Sequence, residues 1–578
     1  VKELENAGVS VFQNACRSPN QERCEHYESC SYIKQYDNSK KLFGGNIVRI
    51  MQHITLGLPK ISELEEEPDL VIIDEAFHSS VIKTGGKNKK TSQPSEQIRQ
   101  HFNHDDIDEL GNLIVYNLIN GADLLEQLRD GGVTRQHLKE VDFGQLKTAV
   151  RFDKSKSSSG SLGPNDLYLF LNRLKDILID EFCIVPERKE ITRATYDPIT
   201  TNVNLSYVVQ SRIPDNVPIL ILDATSDEII LNKLLCKVDV VRIDIRQEAI
   251  VSQVYNRTGS NQFWSGSSAP ITDLISVLNE WDSFGEDVLC IGNKGLMNKL
   301  RDNKATNSDV KLDHFGAIRG SNAYKDCTVI FITGRNAPSP PTVEALARAL
   351  FWDEVEPLQY DEAGKLKPVG QSTTYLPLEL RGYTGQKFGV NVNAFSDKRI
   401  EALHKQIREA ETVQAIARLR LVHTDYVKRV YLLGNLPVEI GINSLYKIEE
   451  LMPDRLEEEL IKTGNIPITP LGLLKMRPDL ASNNDQARQI IHRSKLTDTS
   501  KMLLASPMLI RDTIIEVSFS AKNNGRTHTH RHLFLSEGQQ GVREGMVQST
   551  AAHLPLDEWE ALLVDKWGQI SNFKFDFY

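Results

Sequence analysis

Residues 69–79 read Asp-Leu-Val-Ile-Ile-Asp-Glu-Ala-Phe-His-Ser, and this stretch decides the fold class. Its apolar residues, Leu70 to Ile73, predict a short buried strand of the kind found in parallel sheets. The carboxylates Asp74 and Glu75 follow at the point where that strand ends. Because ligands of open α/β sheets bind at the carboxyl ends of strands, we expect the acidic pair to face a ligand site.

An acidic pair in this position suits nucleotide hydrolysis. Asp74 would hold Mg²⁺, directly or through water, and Glu75 would orient the attacking water. In the alternative interpretation the two carboxylates only stabilise the start of the next helix, since negative side chains favour a helix N-terminus. The stretch by itself leaves both interpretations open.

A second informative segment, residues 414–420, reads Gln-Ala-Ile-Ala-Arg-Leu-Arg. It resembles motif VI of superfamily 2 helicases, Gln-x-x-Gly-Arg-x-x-Arg, with Ala417 in place of the glycine and the second arginine one residue early. In that family a planar cation reaches the γ-phosphate of ATP as an arginine finger. The resemblance implies that Gln414 and Arg418 act at the nucleotide, with Arg418 as the better candidate for the arginine finger, and it leaves the role of Arg420 open. The alternative is an ordinary charged helix face.

Two more segments resemble motifs of these helicases and follow in the same order. Residues 218–225 predict another buried strand, and its end resembles motif III, which couples the nucleotide state to the nucleic-acid groove. Residues 314–326, followed by a predicted strand at 328–333, resemble motif V, where glycine lets the backbone approach phosphate closely. The resemblance assigns coupling and nucleic-acid contact to Asp223, Ala224, Thr225, Arg319, Gly320 and Asn322.

Three of the seven cysteines, Cys16, Cys24 and Cys30, lie within fifteen residues. Such clustering favours metal ligation over a disulfide framework, which is typical of small secreted domains. XPD/DinG-like helicases bind a 4Fe–4S cluster through four cysteines just before their Asp-Glu pair, and the resemblance implies the same here. A fourth ligand would come from upstream of Val1, or His26 would complete a Cys₃His zinc site. Three unligated thiols are the remaining alternative.

A Gly-x-x-x-x-Gly-Lys-Ser/Thr loop, the usual phosphate cradle of such enzymes, does not occur in the sequence. The nearest string, which begins at Thr84, follows the acidic pair and has the wrong spacing. The chain begins with Val1 rather than Met, and the loop of a helicase would precede this point. We therefore expect a protein truncated before its Walker A loop. The alternative is a degenerate ATPase.

The composition predicts a cytoplasmic α/β protein of several domains. The chain has 578 residues, of which 40% are hydrophobic, enough to bury sizeable cores. Since no apolar run approaches the ~20 residues needed to cross a bilayer, we expect no membrane partner. The net charge of −10 neither indicates nor excludes nucleic-acid binding, because a basic groove can be local.

The predicted fold class is α/β, with two RecA-like parallel-sheet lobes and a small C-terminal winged-helix-like domain. The first lobe covers residues 1–250, with the cysteine cluster at 16–30 and a helical insertion at 90–205. XPD/DinG-like helicases carry an arch domain at this place, although a plain helical insert fits the sequence equally. The second lobe covers residues 251–437, with predicted strands at 287–291, 328–333 and 429–433, and the C-terminal module covers residues 438–578.

The C-terminal module is predicted from its residue pattern alone. A helix at 469–480, interrupted near Pro478, and a second helix at 485–494 precede strands at 513–520 and 529–535, which flank the hairpin signal Asn-Gly. Helix, turn, helix and hairpin suggest a winged helix, whose second helix enters a DNA groove. The alternative is a small packing domain with a solvated hairpin tip. The expected DNA contacts are Arg488, Arg493, Lys522, Arg526 and Arg531.

Together these segments resemble an XPD/DinG-like superfamily 2 DNA helicase, in the variants carried by plasmids, phages and integrated elements. The resemblance implies that ATP and Mg²⁺ are cofactors, with a 4Fe–4S cluster or Zn²⁺. It also implies that ATP hydrolysis between two lobes drives movement on single-stranded or forked DNA, with replication or mobile-element proteins as partners. The rival hypothesis is a DNA-binding or assembly protein that keeps the helicase fold without the motor.

Overall fold

A computed structural model describes residues 68–140, 164–497, 514–535 and 556–577, together with four isolated residues near the start of the chain. The positions not described within these ranges are 86–89, 103–108, 122, 212, 236, 244–246, 248, 267–268, 284, 305, 319–321, 381–382, 423, 425, 453 and 524. The cysteine cluster and residues 319 and 320 of the motif V-like segment therefore lie outside the described residues.

The described residues form a mixed α/β fold. Its strands are β1 Val71–Asp74, β2 Ile82–Lys83, β3 Ser92–Pro94, β4 Ala194–Asp197, β5 Asn202–Leu205, β6 Tyr207–Val208, β7 Ile219–Leu222, β8 Ala249–Val254, β9 Val288–Gly292, β10 Lys311–His314, β11 Val329–Thr333, β12 Pro368–Leu380, β13 Tyr383–Phe395, β14 Lys428–Leu432, β15 Ser444–Tyr446, β16 Asn465–Pro467, β17 Ile514–Asn523, β18 Arg526–Leu535 and β19 Ile570–Phe577. Its helices are α1 His78–Val81, α2 Ser95–Phe102, α3 Glu109–Asn120, α4 Leu124–Asp130, α5 Arg135–Glu140, α6 Pro164–Ile184, α7 Glu228–Leu235, α8 Asn261–Ser265, α9 Ala269–Ser283, α10 Lys294–Asp302, α11 Pro340–Leu350, α12 Lys398–Ala417, α13 Ile448–Leu451, α14 Arg455–Thr463, α15 Pro470–Met476, α16 Asn484–Arg493 and α17 Leu556–Trp567.

The chain divides into two compact units. Unit 1 comprises Val1–Val240, Ser339–Lys367 and Ser396–Leu403, and unit 2 comprises the rest. The predicted lobe boundary differs from this division, because it placed the second and third of these segments with the second lobe. The segment Ser339–Lys367 belongs to unit 1 because α11 packs against β2, β6 and α7 of that unit. The segment Ser396–Leu403 is tied to it, since Arg399 Nη1 lies 3.1 Å from Glu354 Oε2.

Strands β1 and β7 form the parallel pair of unit 1. They run in register from Val71 beside Ile219 to Asp74 beside Leu222. The prediction that both strands are buried holds at Ile73, which is 3% exposed, but it was wrong for Ile72 and Leu222, which are 57% and 52% exposed. Among the described residues β1 and β7 pair only with each other, so the outer edge of each strand has no described partner.

The insertion between β1 and β7 has its own core. The insertion predicted to be helical at 90–205 contains the helices α2 to α6. Helix α6 buries residues at helical spacing, among them Phe170, Leu174 and Leu178. The insertion also contains the antiparallel sheet β3-β5-β4 and the pair β2–β6, which the sequence analysis did not predict.

A buried ion pair fixes the end of α6 in unit 1. The fully buried carboxylate of Glu181 accepts hydrogen bonds from Thr192 N at 2.8 Å, Arg193 N at 3.1 Å and Arg193 Nε at 3.0 Å. The Arg193 guanidinium also contacts Asp180 at 3.2 Å and lies 3.7 Å from the ring centre of Trp352. The carboxylate is therefore compensated by charge and by hydrogen bonds together.

Unit 2 is built on a six-stranded parallel sheet in the order β10-β9-β11-β14-β8-β15. The predicted strands at 287–291, 328–333 and 429–433 correspond to β9, β11 and β14. Alternate residues of β11 contribute to two separate apolar cores, Val329 and Phe331 to one and Ile330 and Ile332 to the other. The sheet is thus covered on both faces, as parallel sheets require.

The C-terminal part of unit 2 contains the predicted helix pair and hairpin. The elements follow in the order α14, β16, α15, α16, β17, β18, α17 and β19, and the antiparallel sheet has the order β16-β18-β17-β19. Helix α15 ends at Met476, next to the interruption predicted near Pro478, because a residue that precedes a proline disfavours helical geometry. Nowhere in the described ranges is a helix both long and apolar enough to cross a membrane.

Candidate functional site

The acidic residues of unit 1 lie at the carboxyl ends of β1 and β7. Asp74 ends β1 with an exposed side chain, and the next N–H, that of Glu75, donates to Leu222 O at 2.9 Å. Glu75 has a φ of 60°, a left-handed conformation that strains a residue other than glycine by roughly 1–2 kcal/mol. Strain of this kind persists where the surrounding structure holds it, which is often at functional sites.

Asp223 forms a tight turn directly after β7. Its carboxylate accepts hydrogen bonds from Thr225 N and Thr225 Oγ1, both at 2.9 Å, and from Ser226 Oγ at 2.8 Å. Because Leu222 pairs with Asp74, Asp223 follows β7 at the level where Glu75 follows β1. The structure therefore brings two predicted motifs, about 150 residues apart in sequence, to one edge, which we call the acidic edge.

The helix that follows the acidic edge begins three residues after Glu75. Helix α1 is only four residues long, it begins at His78, and its N-cap is Phe77, without a side-chain capping bond. Asp74 and Glu75 therefore occupy neither the N-cap nor the first turn of this helix, which leaves little for the helix-capping interpretation to explain. Mg²⁺ that arrives with a nucleotide needs only one or two protein carboxylates. Among the described residues no group of three or more potential ligands is arranged to hold a metal ion.

The motif VI-like segment of unit 2 lies at the end of α12. Gln414 and Arg418 are buried, with 8% and 5% exposure. Arg420 is exposed with a φ of 54°, and its Nη2 donates to Asn322 Oδ1 at 2.5 Å. The structure thus joins Arg420 to the motif V-like segment, whereas Arg418 is enclosed by the fold.

Lys428, which the sequence analysis missed, holds these two segments together. Its buried Nζ donates to Leu419 O at 2.7 Å and to Lys325 O at 2.5 Å. Burial lowers the pKa of this ammonium. Since Lys428 begins β14, the Arg420–Asn322 contact lies near the amino ends of the parallel strands, which we call the amino edge. A lysine at the start of an apolar strand was the available sequence signal.

Three glycines lie at the opposite, carboxyl edge of the same sheet. Gly259 follows β8, Gly334 follows β11 and Gly434 follows β14. A Cβ on Gly334 would lie 2.6 Å from Gly259 O, and a Cβ on Gly259 would lie 2.5 Å from Leu433 O. The loops can approach this closely only because both residues lack a side chain, and both also have positive φ.

Four of the five predicted DNA contacts of the C-terminal part are exposed. Arg488 and Arg493 lie on α16, which Asn483 caps through a bond from Gln486 N of 2.9 Å. The other two lie at the ends of β17 and β18, beside the hairpin tip; they are Lys522 and Arg526. Arg531 differs, because its guanidinium binds both carboxylate oxygens of Glu516. Its charge is therefore already neutralised within the fold.

The predicted metal ligands Cys16, Cys24 and Cys30, and the predicted coupling residues Arg319 and Gly320, lie outside the described residues. Neither a scan against models of protein families nor a search of curated proteins found a match for this chain.

Proposed function

We propose that the chain is an ATP-dependent DNA helicase or translocase with two RecA-like lobes, which couples ATP hydrolysis to movement on single-stranded DNA. The observation that carries the proposal is the in-register pairing of β1 with β7, which forms the acidic edge. In this proposal Asp74 holds Mg²⁺ and Glu75 orients the attacking water. Asp223 and Thr225 form the adjacent turn that senses the nucleotide.

Unit 2 supports the proposal through the Arg420–Asn322 contact. A transition-state arginine must extend from the fold to reach a phosphate. Arg420 is exposed and bonded to the motif V-like segment, whereas Arg418 is buried. We therefore propose Arg420 as the arginine that stabilises charge on the γ-phosphate, and we assign Arg418 and Gln414 to the support of the segment.

The C-terminal part supports a contact with duplex DNA at a fork. Its order of helix, strand, helix, helix, strand and strand, with β16 beside β18 and β18 beside β17, is that expected of a winged helix. In this proposal α16 enters a groove through Arg488 and Arg493, and the hairpin contacts phosphates through Lys522 and Arg526. Arg531 is left out because Glu516 neutralises it.

The experiment that tests the motor is ATP hydrolysis by the intact protein with and without single-stranded DNA. Glu75→Gln should lower turnover by about 10²–10⁴-fold while nucleotide binding is kept, because the residue orients water and does not bind phosphate. Glu228→Gln, an exposed acid at the start of α7, is the matched control and should hydrolyse ATP like the wild type. Wild-type turnover by the Glu75→Gln protein would refute the role given to Glu75.

A second candidate is a DNA-binding or assembly protein without ATPase activity. The sequence feature that favours it is the lack of a Gly-x-x-x-x-Gly-Lys-Ser/Thr loop in residues 1–578. It predicts that duplex binding is lost in Arg488→Gln/Arg493→Gln and that neither protein binds labelled ATP. Binding of ATP, with hydrolysis stimulated by DNA, would exclude this candidate.

A further inference from the structure

Arg335 is a charged side chain of unit 2 with unused hydrogen-bonding capacity. It follows Gly334 at the carboxyl edge, directly after β11. The residue is half-buried, and its Nη1, the buried end of the guanidinium, has no hydrogen-bond partner among the described residues. Buried guanidinium nitrogens are normally paired, so an unpaired one calls for a physical explanation.

Among the described residues, Arg408 and Glu409 are the charged neighbours that act on the pKa of Arg335. Arg408 on α12 is almost fully buried, and it takes up the nearby carboxylate: its Nε and Nη2 bind Glu409 at 3.0 and 2.5 Å. Its Nη1 donates to Asn393 O at 2.8 Å. Burial lowers the pKa of Arg335, and the charge of Arg408 lowers it further, against the opposing effect of Glu409. In the part of the chain that the structure describes, Arg335 therefore lies near a second cation, and the carboxylate near both of them is that of Glu409.

The loop that carries Arg335 is fixed in place. Asn336 Nδ2 donates to Ile407 O on α12 at 3.4 Å, and Gly334 fits against Gly259 where no Cβ would fit. The guanidinium is thus held beside α12 by its neighbours and not by a counter-ion of its own. A pre-positioned, partly desolvated arginine is the arrangement that favours a bound oxyanion.

This position is distinct from the arginine proposed to act on ATP. On helix α12, Arg408 lies near Arg335, and Ala417, nine residues later, ends the helix just before the amino edge. At 1.5 Å per residue the two levels are separated by about 14 Å. Arg335 and Arg420 therefore cannot bind the same phosphate group within unit 2.

We propose that Arg335, with Arg408 behind it, binds a phosphate oxyanion at the carboxyl edge of the unit 2 sheet. Ligands of open parallel sheets bind at this edge, and a guanidinium fork matches the geometry of phosphate oxygens. The phosphate belongs either to a nucleic-acid backbone or to a nucleotide. The proposal goes beyond the motor function, because an anion site here requires no ATP hydrolysis.

The test compares Arg335→Gln with Arg301→Gln in the intact protein. Both changes remove one positive charge from unit 2, but Arg301 is exposed on α10, and its Nη2 donates to Leu312 O. The probes are tripolyphosphate, ATP and a fluorescein-labelled oligothymidylate. Tripolyphosphate should raise the melting temperature of the wild type and of Arg301→Gln, but not that of Arg335→Gln.

The other two probes identify the source of the phosphate. If it belongs to nucleic acid, Arg335→Gln should weaken oligothymidylate binding about tenfold or more, and the slope of log Kobs against log[salt] should decrease by about 0.7. If it belongs to a nucleotide, only ATP binding should weaken. The proposal is overturned if Arg335→Gln binds all three probes as tightly as Arg301→Gln.

A structural role for Arg335 gives a different result. Since the change removes a partly buried charge beside Arg408, Arg335→Gln should melt no lower than the wild type without ligand. A lower melting temperature together with unchanged binding of the three probes would show that Arg335 only supports the fold, and would overturn the proposal. Arg335→Lys, which keeps the charge but lacks the fork, should recover part of the affinity.

Discussion

Replacement of Arg193 by Met should destabilise unit 1 selectively. The change keeps a long apolar stem but removes the guanidinium that binds Glu181 Oε1 at 3.0 Å and Asp180 Oδ2 at 3.2 Å. It also removes the bond from Nη2 to Ile177 O and the contact with the Trp352 ring. Glu181 would keep its backbone donors but would become a buried carboxylate without its closest cation.

The expected magnitude follows from this loss. Removal of one partner from a buried ion pair typically costs about 3–5 kcal/mol. Glu181 keeps a second, more distant cation, since Arg188 Nη1 lies 3.9 Å from its Oε2, so we expect the lower part of this range. With a urea dependence of about 2 kcal/mol per molar, the midpoint of unfolding of unit 1 should fall by about 1.5–2 M. Arg135→Met, an exposed change on α5 of the same unit, should shift the free energy of unfolding by no more than about 0.5 kcal/mol.

Fluorine NMR of protein labelled with 5-fluorotryptophan can measure this by unit. The chain has five tryptophans; Trp352 belongs to unit 1, and Trp264, Trp281, Trp559 and Trp567 belong to unit 2. In a urea titration of Arg193→Met, the Trp352 resonance should convert at lower urea, while the other four keep their wild-type midpoints. If the free energy of unfolding reported by the Trp352 resonance falls by less than about 1 kcal/mol, the reasoning that the pair is buried and costly to break is refuted.

Other predictions concern the proposed site, acid stability and the metal. Arg420→Ala should lower ATP turnover on the order of 10³-fold without a change in melting temperature, whereas Arg418→Ala should melt lower; the reverse pattern would return the finger role to Arg418. Burial lowers the pKa of His530 to about 4 and of His532 to about 3. On acidification these histidines are therefore protonated at a higher pH in the unfolded chain than in the folded protein. Stability of the C-terminal part, followed by urea unfolding, should be full above pH 6.5 and fall by about 1 kcal/mol per pH unit for each histidine towards pH 4; a flat profile would contradict this. Cys24→Ser should remove brown colour and bound iron, while stoichiometric zinc in a colourless wild type would indicate a zinc site.

The sequence was informative where local chemistry determines structure. Apolar runs predicted the central strands of unit 2, and Asn-Gly predicted the β17–β18 hairpin. Helix α14 could also have been found, because Asp454 and Glu457 form a capping box and Gly464 ends the helix with a φ of 73°. Strand β3 could not, since Ser-Gln-Pro has no strand pattern and forms only through its pairing with β5.

The positions of the acidic site residues at strand ends could be predicted from the sequence, but the contacts of the arginines with distant residues could not. The acidic pair and the Asp-Ala-Thr turn each follow an apolar run, so their place at strand ends could be read from the sequence. Whether an arginine is exposed depends on contacts between distant residues. The bond of Arg420 to Asn322, the neutralisation of Arg531 by Glu516 and the unpaired Nη1 of Arg335 are all of this kind.

The pair β2–β6 lies, in sequence, between the two strands of the pair β1–β7, and this order affects how the chain folds as it is synthesised. Strand β1 pairs with β7, which the ribosome makes about 145 residues later, or roughly 7–30 s at usual elongation rates. During that time the apolar side chain of Ile72 has no sheet partner. The insertion, with its own core and its closing pair β2–β6, can fold first and bring the ends of the long loop together. Mutations that slow folding of the insertion core, such as Leu174→Ala, should therefore lower the yield of native protein by prolonging the exposure of β1 to aggregation.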